Sequence, residues 1–170
     1  MSSDAEIVFR FATRGDHEVL VDLKHAINIA EHAVYPDRTR IPDLLDLSRD
    51  AAALGVADYW ARIEAHGGAF LVGELDGQIV CCGCWHATTA AVSTLPQFQR
   101  QANIGGIVVL PAARGLGLGR RVMNELEALI EAQGIGHIRL TVVPGNGPAE
   151  TLYHGLGYED FETVMIKTRA

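Results

Sequence analysis

The chain predicts an α/β fold, a mixed sheet with helices packed against it, on three observations. Short β-branched and apolar runs alternate with longer segments whose apolar residues recur every three or four positions. An Asp-Gly pair separates two of the short runs, as in a tight hairpin. Residues 108–121, VVLPAARGLGLGRR, carry a β-branched run through a proline into three glycines that open a helical pattern.

Each element has its own warrant. Residues 7–12 alternate like a strand. Leu20, Leu23, Ile27, Ala30 and Val34 form one apolar stripe over a helix at 17–34. Pro42 suits a first helical turn and opens a second helical stretch to about residue 66, with Gly55 the place where it would divide. Strands at 70–75 and 78–88 meet at Asp76-Gly77. A strand at 103–110, a helix at 117–132 and a strand at 137–143 follow. A short helix at 148–156 and a last strand near 163–167 complete the order β-α-α-β-β-β-α-β-α-β. No repeat or low-complexity linker interrupts it, so residues 1–170 are expected to form a single domain.

Composition narrows the class. With 48% hydrophobic and 21% charged residues the chain reads as globular and able to bury a core. No run approaches the roughly eighteen apolar residues of a membrane span. Residues 1–16 lack the basic-then-apolar order of a signal peptide, so no membrane association and a cytoplasmic location are expected. Three cysteines crowded at Cys81, Cys82 and Cys84 suit a reducing compartment better than a disulfide framework. The net charge of −7 argues against nucleic acid as a partner and mildly favours a cationic amine.

A strand that empties into a glycine turn and a helix start makes an anion cradle. The first helical turn carries amides without intrahelical acceptors, and the aligned peptide dipoles put partial positive charge at the same end. Gly115, Gly117 and Gly119 let phosphate oxygens approach those amides, while Arg114, Arg120 and Arg121 add cationic donors. The spacing separates three phosphate-binding patterns. A P-loop needs Lys-Ser or Lys-Thr after the glycines, and none follows; a dinucleotide fingerprint needs a third glycine where Arg120 or Val122 stands. What remains is R-x-x-G-x-G, Arg114 to Gly119, directly after V-x-P, Val109 to Pro111.

This segment resembles the acyl-CoA-binding motif of the GNAT superfamily of N-acetyltransferases. Downstream, NGPAETLYHGLGY resembles the family's N-x-x-A-x-x-x-Y-x-x-x-G-[FY], with Asn146, Ala149, Tyr153, Gly157 and Tyr158 in register. The resemblance implies a mixed, mostly antiparallel central sheet flanked by helices, and acetyl-CoA as co-substrate without a metal. It implies that backbone amides of Arg114, Gly115, Leu116, Gly117, Leu118, Gly119 and Arg120 hold the pyrophosphate. The pantetheine arm would pair with main chain at Ile107, Val108 and Val109, between strands that splay apart, and Asn146 would finish the pocket. An amide near Val109 would polarise the thioester carbonyl. Tyr153 would protonate the departing thiolate.

The resemblance thus implies acetyl transfer to a primary amine by direct attack, on a small-molecule or peptide acceptor, with a homodimer an open possibility. The alternative is a non-catalytic module that binds or senses acyl-CoA. The proton acceptor is open: some members use a carboxylate on the strand before the glycine turn, where this chain offers Gln101 and Asn103. A water ordered by Asn103, Glu74, or His86 could serve, although Glu74 beside its turn is expected to be solvated. Cys82, Cys84 and His86 share a strand face, but their roots lie roughly 6.6 Å apart per pair, awkward for one zinc ion; buried, inert cysteines are expected. His25 and His32 read as surface histidines on one helix face. Tyr59 and Trp60 are candidates to cap an acceptor pocket, and by resemblance the first two helices and residues 88–100 shape it.

Overall fold

The computed structural model describes residues 6–34, 46–91 and 94–165. In chain order the elements are β1 (Val8–Phe11), α1 (His17–Val34), α2 (Arg49–His66), β2 (Gly68–Leu75) and β3 (Gln78–Thr89). They continue with α3 (Pro96–Gln99), β4 (Arg100–Val109), α4 (Leu118–Glu131), β5 (Ile138–Leu140) and α5 (Gly147–His154). The strands form one sheet in sequence order, antiparallel from β1 to β4, with β5 parallel to β4. A parallel neighbour needs a long crossover, and α4 provides it. No described helix is long and apolar enough to cross a membrane.

Local chemistry sets the boundaries. Asp76 and Gly77 both take positive φ, 51° and 74°, the paired left-handed geometry whose twist suits a two-residue hairpin. Thr13 and Asp16 cap one another's backbone ahead of α1, and Asp16 also receives both terminal nitrogens of Arg10. Ser48 caps α2 by accepting from the Ala51 amide at 3.1 Å. The expected start at Pro42 lies outside the described residues. Gly55 does not divide α2: an added Cβ there would stand 3.3 Å from the Lys24 side chain, so the glycine lets α1 and α2 approach.

Other expectations need correction. Ala30 is exposed, because the apolar stripe of α1 turns towards Leu20, Val21 and Leu23. A short helix, α3, stands where no element was predicted. β5 keeps only Ile138–Leu140 of the expected 137–143. The last predicted strand is absent over residues 163–165, where Val164 and Met165 are exposed and no backbone pairing converts the alternation into burial; Ile166 and Lys167 lie outside the described residues.

The sheet divides the core into two layers. Val122, Met123, Leu126 and Ile130 of α4 are fully buried against Leu71, Cys81, Trp85, Ala102 and Ile104 on one face. On the other face α1 and α2 cover Phe70, Val72, Cys82, Cys84 and Val108. Side chains of a strand alternate between faces, so Ala102 and Ile104 should be followed by Val108 on the same side. Val108 is on the opposite side.

The cause is a bulge in β4. Cys84 pairs with Gly105 and Cys82 with Val108, so Gly83 stands opposite both Gly106 and Ile107. One extra residue reverses the facing of everything after it. Gly106 takes φ +62°, which costs a residue with a Cβ about 1–2 kcal/mol. Gly105 has another reason to be glycine: an added Cβ would lie 2.6 Å from the Tyr59 hydroxyl. Gly105→Ala is expected to lower stability by about 1–3 kcal/mol in equilibrium denaturation. Part of that loss should return in a Tyr59→Phe background; an equal penalty in both backgrounds would contradict the contact.

Candidate active site

The bulge coincides with the end of the β4–β5 pairing. The last partners are Ile104 and Leu140; beyond them β5 stops while β4 continues to Val109. The two chains part there and leave a cleft of about 80 Å3. Ile104, Gly105, Gly106 and Ile107 form its β4 wall, and Leu140, Thr141 and Val142 form the opposite wall. Strand amides alternate between the two edges, and the Leu110 amide donates to Val80 of β3 at 2.9 Å. The N–H groups of Val109 and Ile107 therefore face the edge that β5 has left. Val108 differs: its amide turns towards β3, and its side chain is buried under α1 and α2.

Past β4, a 3-10 turn at Pro111–Ala113 leads into the glycines. Gly115 and Gly117 adopt φ +81° and +70°, and a Cβ on either would meet nothing within 4 Å, so backbone conformation is what demands glycine there. Gly119 is different, being helical and packed so that an added Cβ would meet Leu152 at 3.2 Å. Gly117 is the N-cap of α4 and offers no side-chain acceptor, so the amides of Leu118, Gly119 and Arg120 point out of the first turn. Leu116 is exposed on the turn and Leu118 is buried beneath it.

The arginines divide. Arg114 folds back to donate to the Val109 carbonyl at 3.3 Å, and Arg120 donates to the Gly155 carbonyl at 3.2 Å; both remain exposed near the turn. Arg121 points elsewhere, its guanidinium 5.5 Å from the Phe9 ring, so its side chain is not a donor to the turn.

The second motif builds α5 and the turn that ends it. Asn146 is the N-cap, its Oδ1 accepting from the Ala149 amide at 3.4 Å. Gly157 at φ +92° ends the helical turn, with the Tyr158 amide bonding the Tyr153 carbonyl and the Gly157 amide bonding the His154 carbonyl. The Tyr158 hydroxyl donates to Glu127 of α4 at 2.8 Å, and its ring meets that of Tyr153 edge-on at 6.1 Å. Asn146, Ala149 and Tyr153 thereby line the cleft from the α5 side. Burial, and next the charge of Glu31, push the Tyr153 phenol above its usual range, so it holds its proton at neutral pH.

The candidates for proton acceptance do not line the cleft. Glu74 is not solvated as expected: it accepts two bonds from Arg10, which also bridges to Asp16. His86 is buried, with Nδ1 at 3.1 Å from the Ala87 carbonyl and Nε2 at 3.4 Å from Asn103. What the pattern missed is Glu31, which lines the cleft beside Ile27 of α1. Its signal was an acid four residues beyond an apolar stripe position. The Gly-Gly pair within a strand likewise marked the bulge.

Cys82 and Cys84 lie on the α1–α2 face and direct their thiols at the bulge carbonyls, Cys84 to Gly105 at 3.2 Å and Cys82 to Gly106 at 3.6 Å. Burial pushes the Cys82 thiol up to about 12 and that of Cys81, on the α4 side, to about 11, which leaves both as inert thiols. Tyr59 lies over Gly105, its phenol pushed up to about 12 by burial. Trp60 is instead held between Phe70 and Arg14, at 4.8 and 4.6 Å, and does not line the cleft.

Known proteins share this fold. The family model described as "Acetyltransferase (GNAT) family" matches residues 29–158. A mycothiol acetyltransferase from Frankia alni is 32% identical over 136 residues, a match that covers 78% of this chain and 38% of that protein. The chain thus spans well under half the length of that relative. The "predicted acetyltransferase" of Clostridium acetobutylicum, solved with acetyl-CoA, superposes with a TM-score of 0.72 at 17% identity, covering 96% of each chain. An aminoglycoside 6'-N-acetyltransferase from Acinetobacter haemolyticus gives 0.69 at 15% identity, covering 96% of this chain and 98% of its own.

Proposed function

The chain belongs to the acetyltransferase (GNAT) family, and on that premise we propose that it transfers the acetyl group of acetyl-CoA to a primary amine by direct attack. The observation that carries this reading is the cleft where β4 and β5 part, with Tyr153 in its wall and the uncapped first turn of α4 just beyond β4.

Each part fits the coenzyme. The positive-φ turn at Gly115 and Gly117 presents the amides of Leu118, Gly119 and Arg120 to a diphosphate, and the exposed Arg114 and Arg120 at its two ends would add charge. The outward amides of Ile107 and Val109 suit the pantetheine amides, which would lie along β4 as an added strand, past Val108. Asn146 closes the α5 side. In this reading the Val109 amide polarises the thioester carbonyl as the amine attacks, and Tyr153, protonated at neutral pH, gives its proton to the departing sulfur. The names of the relatives, a mycothiol acetyltransferase and an aminoglycoside 6'-N-acetyltransferase, favour a small-molecule acceptor over a protein.

Two measurements test this reading. In calorimetry, wild-type protein should bind acetyl-CoA, and Gly117→Val should weaken that binding at least tenfold, because a branched side chain resists φ +70°. Tyr153→Phe should lower kcat by about a hundredfold in a thiol-release assay while leaving acetyl-CoA affinity within about twofold. Unchanged turnover removes the acid role, and absence of acetyl-CoA binding removes the whole reading.

A further inference from the structure

The wall of the cleft is neutral with one exception. Among the described residues that line it, Glu31 carries the formal charge; the others are apolar, glycine, or the neutral polar Thr141, Asn146 and Tyr153. Glu31 stands one helical turn beyond Ile27, and positions four apart share a helix face, so α1 turns both towards the bulge in β4. Its charge is felt on two other elements, adding to the upward shift of Tyr153 on α5 and of Tyr59 on α2. The carboxylate thus lies within electrostatic reach of the proposed acid and of the ring that covers Gly105.

We propose that Glu31 receives the acceptor: its carboxylate draws the substrate's ammonium into the cleft and takes a proton from it, so that the neutral amine attacks the thioester. This inference rests on the acetyl-transfer reading given above. It supplies from α1 the acid that β4 lacks, since Gln101 and Asn103 occupy that strand.

The proton balance is complete. The ammonium gives one proton to Glu31, which passes it to solvent. The amine nitrogen forms its bond to the acetyl carbon, and the carbon–sulfur bond breaks with its electron pair leaving on sulfur. The new amide nitrogen sheds a second proton, and Tyr153 supplies the proton that sulfur takes up; solvent then restores Tyr153. The sum is ammonium plus thioester giving amide, thiol and one proton. Burial keeps the Tyr153 phenol protonated at neutral pH, so it is available to donate while the carboxylate accepts. Among the described residues, the charged and titratable groups around them include Asp58, Tyr59 and Arg62 from α2, Lys24 two turns earlier on α1, Cys84 from β3 and Tyr153 from α5.

The test compares nucleophiles that differ in charge. Phenylethylamine, spermidine and a tetrapeptide with a free N-terminus enter as ammonium ions, whereas hydroxylamine is largely uncharged at neutral pH. Glu31→Gln is expected to bind acetyl-CoA as wild type does in calorimetry. It should lose about a hundredfold in kcat/KM with whichever ammonium probes wild type acetylates, and keep the hydroxylamine rate within about threefold. Glu31→Asp, which retains the charge, should recover part of the loss. Equal losses on both kinds of nucleophile, or no loss on either, overturn the proposal. So does a wild-type protein that acetylates hydroxylamine and none of the ammonium probes, a result that leaves coenzyme binding intact. Wild-type protein without affinity for acetyl-CoA marks instead the failure of the acetyl-transfer reading itself.

Discussion

Midway along β4 the chain inserts one residue too many, and the site is arranged around that bulge. Before it, Ala102 and Ile104 face α4; after it, Val108 faces α1 and α2, while Ile107 and Val109 pack on the α4 side. The reversal places the outward amides of Ile107 and Val109 where β5 has stopped pairing. Without the extra residue, the apolar run IVVL would present its larger side chains to the wrong layers, and core and cleft would be lost together.

Three neighbours hold the bulge. The thiols of Cys82 and Cys84 reach the carbonyls of Gly106 and Gly105, polar groups that lie under α1 and α2. A buried carbonyl without a donor is costly, and a thiol is a donor small and apolar enough to sit in that layer. Tyr59 fills the space that a side chain at Gly105 would need. The cysteine cluster, which invites a metal-site reading from sequence, is in this fold a support for main chain.

The other wall of the cleft depends on how α5 ends. The left-handed Gly157 turns the chain back so that Tyr158 reaches Glu127 of α4, and the edge-on contact between Tyr158 and Tyr153 continues that anchor to the cleft. Arg120 adds a tie from the first turn of α4 to Gly155. The glycine turn, α4 and α5 are thus joined where the proposed coenzyme would touch all of them. The motif residues share the work: Tyr153 faces the cleft, while Gly157 and Tyr158 fix where it sits.

Local chemistry determined what could be read from the chain alone. The Asp76-Gly77 hairpin, the stripe of α1, the glycine turn before α4 and the short α5 follow from turn propensity, periodicity and capping, which act over a few residues. Their order and the two motifs sufficed for the mixed sheet and the family. Tertiary structure decided what depends on residues far apart. β5 shortened because pairing stops where the bulge turns β4 away; Glu74 was claimed by Arg10, 64 positions earlier. Glu31 entered the cleft because α1 packs across β4, a placement fixed by the shared core of Leu20, Val21 and Leu23 under the sheet and by no signal within α1 itself.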